Sequence, residues 1–151
     1  MLSIPFGLKL KYKKDKTCLI QKYKPLSYID REGIPVRNAS IVLFKRVSHD
    51  FKTQENTVNE TLWKLNTTVM HSHWEPTINE CGSGKFHACS RPYFCDMFRS
   101  IIGDRYIAIE IAKKDLYEWP NATYPHKIAF RMGKVLFECD RFGNKIEKRE
   151  I

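Results

Sequence analysis

Four side chains able to share one chemistry lie close together in the chain: Cys81, His87, Cys89 and Cys95, spaced C-x5-H-x-C-x5-C. Thiolate sulfur and imidazole nitrogen are the donors that zinc takes four at a time in a tetrahedron. His87 and Cys89 are two positions apart, so in an extended segment they leave the backbone on the same side. Cys81 precedes Gly82-Ser83-Gly84, a turn able to fold back, and Cys95 falls in the first turn of a helix expected after Ser90 and Pro92. These four residues form the candidate metal site, with zinc as the expected cofactor. The spacing differs from the common finger patterns, which place two cysteines two to four residues apart. The competing reading makes the cysteines small buried hydrophobes, with His87 held by a hydrogen bond.

A second group carries charge. Lys9, Lys11, Lys13, Lys14, Lys16, Lys22 and Lys24 crowd segment 8–24, with Tyr12, Tyr23 and Tyr28 close by. Ammonium groups neutralise phosphates and aromatic rings stack on bases, so this segment is the candidate nucleic-acid face. A charged edge hairpin kept soluble by lysine carries the same pattern. His71 and His73 would share one side of a strand and could hold a metal or a phosphate, or simply be exposed.

The elements that must position these groups read mainly as strands. Leu8, Leu10 and Tyr12 alternate with lysines, the period of a half-buried strand. The run SIVLFKRV at 40–47 reads as a central strand, segment 62–74 as a further strand, and FHAC at 86–89 as a short one. Phe94, Met97, Phe98, Ile101 and Ile102 follow the three-and-four spacing of a helix face. RYIAIEIA at 105–112 puts Ile107, Ile109 and Ile111 on one side, and two more strands are expected at 127–132 and 134–140, about Gly133. The fold class expected is α+β: one domain over 1–151, a mostly antiparallel or mixed sheet and about two helices. Residues 1–39 would form a basic N-terminal hairpin and loop, and 40–145 the core.

Bulk composition narrows the classes. The chain has 151 residues, 42% of them hydrophobic and 13% aromatic, as expected of a folded domain rather than a disordered one. No apolar run approaches the ~18 residues of a membrane span, and the charges of the N-terminal segment follow its apolar residues, the wrong order for a secretory signal. A cytoplasmic, non-membrane protein is expected. Five cysteines in such a chain favour metal binding or burial over a disulfide framework. The net charge of +9 points to a polyanionic partner. No phosphate-loop or catalytic-triad pattern is present.

Two resemblances extend this reading. CGSGKFHAC at 81–89, RYIAIEIAKKDLYEWP at 105–120 and YPHKIAFRMGKVLFECDRFGN at 124–144 resemble a family of uncharacterised domains in phage and bacterial proteins. Its pattern is Cys-Gly-x-Gly, a nearby His, a helix, a hydrophobic strand and a basic strand leading to Val-Leu-x-Glu. The resemblance implies a phage-type origin, hence a host-cell cytoplasm, and no mechanism. A more distant resemblance is to ADP-ribosyltransferase-like folds, carried by the order of Arg46 or His49, the stretch 84–87, the strand at 106–111 and Glu138. It implies an NAD-using enzyme in which Glu138 would hold a ribose hydroxyl and support an oxocarbenium-like transition state, with Arg46 and His87 as its other site residues.

The function expected is that of a small basic accessory protein of phage type. It would act by binding nucleic acid or a host nucleoprotein complex, in the manner of a counter-defence inhibitor. The alternative is the NAD-using transferase.

Overall fold

The computed structural model describes residues 36–37, 39–119 and 122–147. The lysine-rich segment 8–24 lies outside them. The strands are β1 (Val36–Arg37), β2 (Ser40–Val47), β3 (Lys52–Thr53), β4 (Thr61–Leu62), β5 (Thr68–Met70), β6 (Phe86–Cys89), β7 (Arg105–Ala112), β8 (Leu116–Tyr117), β9 (Lys127–Phe130) and β10 (Met132–Cys139). Seven of them pair in the order β5-β10-β7-β2-β6-β9-β8, with β1 added beside β2, and β3 and β4 form a separate hairpin. Among the described residues every pairing is antiparallel.

The expected α+β class is therefore corrected to an antiparallel β fold. Among the described residues there is no α-helix, only two 3-10 segments, Pro92–Met97 and Lys113–Asp115. The helix expected from Phe94 to Ile102 does not form. Met97 is 64% exposed, Ile101 53% and Ile102 fully so, so the three-and-four spacing there marks no buried face. The segment is held instead by charge and by one thiol. Arg46 donates to Asp96 at 2.6 Å and to Asp104 at 2.9 Å, Arg99 donates to Asp104 at 2.9 Å, and the buried Cys95 Sγ lies 3.4 Å from the Phe44 carbonyl. Ser90 does not cap the segment, whose N-cap is Arg91 without a side-chain bond.

Alternation explains the strands that do form. Leu43 lies opposite Ile109, and Ile41 opposite Ile111. These positions face one core with Val47, Ile107, Ile128, Phe130 and Val135, all fully buried. Each such aliphatic side chain contributes roughly 1.5–3 kcal/mol of burial. The intervening residues Val42, Phe44, Tyr106 and Ala108 gather in a second cluster on the opposite face. Gly133 packs where a Cβ would come within 2.6 Å of Ile109 Cγ2, which fits β10 tightly onto β7.

β9 passes into β10 through Arg131 alone. The hydrogen-bonded path from β10 through β7, β2 and β6 to β9 thus returns to the same extended stretch, and the sheet wraps around the main core. Arg131 is fixed at this bend by its N–H to the Asp115 carbonyl (2.9 Å) and its guanidinium to the Asp115 carboxylate (2.9 Å). The strand expected across 62–74 is interrupted. Asn66 takes a left-handed φ of 66°, Thr67 N–H bonds to the Lys64 carbonyl, and pairing resumes only at Thr68–Met70. Among the described residues no helix is long and apolar enough to cross a membrane.

Candidate functional site

β2 and β6 share a ladder only one residue pair long, Phe44 opposite Cys89. Beyond that pair the strands part, and a cleft of about 1250 Å³ opens in the fork. Its floor holds Lys45 from β2 and Phe86, His87, Ala88 and Cys89 from β6. Its walls come from the glycine turn 82–84, Lys85, the β3–β4 hairpin, residues 70–73, residues 98–101 and Lys127. Gly84 shapes one wall. Its φ is +89°, its carbonyl accepts the Glu75 N–H at 2.8 Å, and a Cβ there would sit 2.7 Å from the Glu75 oxygen.

Three ammonium groups meet in this cleft. Lys45 Nζ donates to the His87 carbonyl at 2.7 Å, Lys85 Nζ to the Ser83 carbonyl at 2.8 Å, and Lys127 Nζ to Cys81 Sγ at 2.8 Å. Among the described residues none of the three has a carboxylate partner, whereas Arg46, Arg99, Arg105, Arg131 and Arg141 all do. Among the described residues of the lining the one carboxylate, Glu60, is tied to Lys52 at 3.3 Å. The cations act on one another. Burial pushes Lys45 down to about 8, with Arg99 and Lys127 adding to the effect. Burial lowers Lys85, helped by Lys127. His87 falls to about 3 through burial and then through Lys127, Lys45 and Lys85, so its imidazole is neutral at physiological pH. Its Nε2 lies 3.0 Å from the Glu80 carbonyl, which can only accept, so Nε2 carries the proton.

Aromatic rings border the charge. Lys127 Nζ stands 4.6 Å from the Phe98 ring centre and 5.1 Å from that of Tyr124, and the two rings meet edge to face at 5.6 Å. The Glu80 carboxylate accepts the N–H groups of Thr123 (2.9 Å) and Tyr124 (2.8 Å), tying the two loops together. His71 and His73 both line the cleft, but not as a strand pair. The His73 N–H donates to His71 Nδ1 at 3.0 Å across a turn, and the His71 ring packs on Phe86.

The four candidate zinc ligands are not brought together. Cys81 is exposed and engaged by Lys127, His87 is engaged by Glu80, and Cys89 and Cys95 are buried free thiols. Cys95 is held far above the usual thiol range by its hydrogen bond with Cys89 and by burial. Among the described residues, no group of three His, Cys, Asp or Glu could hold a metal ion. As placed, the donors do not fit a tetrahedral zinc.

The trio Arg46, His87 and Glu138 is likewise not assembled. Arg46 lies opposite Tyr106 and Glu138 opposite Ile107, adjacent positions of β7 that point to opposite faces. Arg46 is neutralised by Asp96 and Asp104, and Glu138 accepts Arg105 at 3.0 and 3.2 Å. His49, the other basic residue considered with Arg46, is exposed beside Asp50 at 3.3 Å. The cleft lysines Lys45, Lys85 and Lys127 were not singled out by sequence. The available signal was Lys45 itself, a cation inside the apolar run SIVLFKRV.

Comparison with protein-family models, with curated proteins and with solved structures gives no match.

Proposed function

We propose that the protein binds nucleic acid, free or within a nucleoprotein complex, by seating backbone phosphates in the cleft between β2 and β6. One observation carries this reading: three lysine ammoniums that have no carboxylate partner among the described residues converge on a single cleft of a chain whose net charge is +9. Buried cations that repel one another gain most from an anion placed among them, and phosphates supply that charge in series. The neutral His87 imidazole and the glycine turn leave room for phosphate oxygens without adding competing negative charge.

The test is a mobility-shift or anisotropy titration over a salt series. Log affinity should fall linearly with log salt. Lys85→Gln and Lys127→Gln should each weaken binding and lower the slope by roughly 0.7–0.9, one phosphate contact apiece. The same change at exposed Lys113, away from the cleft, should leave the curve unmoved. Absence of binding at low salt removes the proposal. Binding untouched by the cleft variants but abolished by joint replacement of Lys9, Lys11, Lys13 and Lys14 would place the contact on the N-terminal segment and overturn the cleft.

A further inference from the structure

We infer that the cleft takes single-stranded rather than duplex nucleic acid, stacking bases on Phe98 and Tyr124 while Lys127, Lys45 and Lys85 hold the adjoining phosphates. This rests on the reading of the cleft as a nucleic-acid site and specifies the form of the ligand.

Depth is the first argument. Lys85 is only 5% exposed and Lys45 is half-buried on the floor. A duplex carries its phosphates on the outside of a wide, stiff cylinder, which cannot descend into a cleft of about 1250 Å³. A single strand is narrow and flexible enough to lower one phosphate to the floor.

The rim is the second argument. Phe98 is 36% exposed and Tyr124 39%, aromatic surface left in water directly beside an ammonium that has no carboxylate partner among the described residues. Rings interleaved with cations are what sequence-tolerant single-strand sites use, because every base has a face to stack while the backbone is neutralised alongside. In a duplex those faces are already stacked on one another. The rim is also preorganised, since Glu80 holds the backbone at Thr123 and Tyr124. Ile101, 53% exposed on the same wall, adds apolar surface suited to a base and not to a phosphate.

The experiment compares a fluorescein-labelled oligothymidylate with the same strand annealed to its oligoadenylate complement, both titrated with the full chain by anisotropy. The single strand should bind at least about tenfold more tightly. Phe98→Ala and Tyr124→Ala should each cost about fivefold or more in single-strand affinity while leaving the salt slope unchanged, and Tyr124→Phe should retain the affinity. Both side chains are exposed, and unchanged melting temperatures would verify folding. Equal or tighter duplex binding overturns the inference and leaves the nucleic-acid reading standing. A single-strand preference indifferent to both alanine variants overturns the stacking platform. Failure of both probes to bind at low salt overturns the nucleic-acid reading itself.

Discussion

Lys45 shows how one side chain can serve both the sheet and the cleft. Where β2 and β6 part, the His87 carbonyl faces the fork, and the Lys45 ammonium satisfies it at 2.7 Å, with the Trp63 ring 5.0 Å from the charge. The cost is desolvation of a cation, which lowers Lys45 from 10.5 to about 8. Two opposite pH dependences follow. Between about 8 and 10.5 the unfolded chain keeps a proton that the folded chain has released, so this residue makes stability rise with pH there. An anion in the cleft favours the charged form, so binding takes up a proton and affinity should fall as pH climbs through about 8. Anisotropy titrations across that range, repeated with Lys45→Gln, check this. The variant should bind more weakly and lose most of the pH dependence, and an unchanged slope would remove Lys45 from the site. Little of this was legible beforehand. A lysine in an apolar run is visible in sequence, but the short ladder that turns it into a cleft floor is not. The cysteines show the converse: Cys81, His87, Cys89 and Cys95 are close along the chain, yet among the described residues no group of three His, Cys, Asp or Glu is placed to hold a metal ion.

At the scale of elements, the strands were legible and the segment after β6 was not. β2, read from a continuous apolar run, β6, read from the stretch after the glycine turn, and β7, read from its alternating isoleucines, begin and end where expected, since each signal is local. Segment 92–104 carries helical spacing, but its anchors come from 44 to 58 positions away, where Arg46 and Glu55 engage Asp96, Asp104 and Arg99. Such charge pairs leave no periodic trace. Asp104 is the hinge of the network, with its side chain 2% exposed and two guanidiniums at 2.9 Å. Asp104→Asn leaves Arg46 and Arg99 partly uncompensated and should cost about 3 kcal/mol. The check is a lower denaturant midpoint with unchanged m. Because residues 98–101 wall the cleft, the same variant should bind nucleic acid more weakly even where it remains folded.

For the whole molecule, the displaced titrations define a stability profile. On the acid side, His87 sits at about 3 against an ordinary 6.5, so the unfolded chain takes up its proton first and stability should fall once pH drops below 6.5. Glu55, held at about 2 by Arg99, stabilises fully above its ordinary 4.5 and loses that contribution as pH falls towards 2. Asp96 and Asp104, also depressed, act in the same direction. On the alkaline side, burial raises Cys139 from 9 to about 12 and Tyr106 from 10 to about 12. Both are then ionised in the unfolded chain before the folded one, so they withdraw stability as pH rises from 9 and 10 respectively. Lys45 opposes this loss over part of the same window. The melting temperature should therefore be highest between pH 6.5 and 9 and decline on both sides. In His87→Gln the decline between 6.5 and 4.5 should flatten, because in that interval His87 supplies up to one proton, about 1.4 kcal/mol per pH unit, before the carboxylates begin to titrate. Calorimetry at fixed ionic strength decides the matter. A variant with an unaltered acid limb would show that His87 is not held neutral in the folded chain by its burial and by the cations around it.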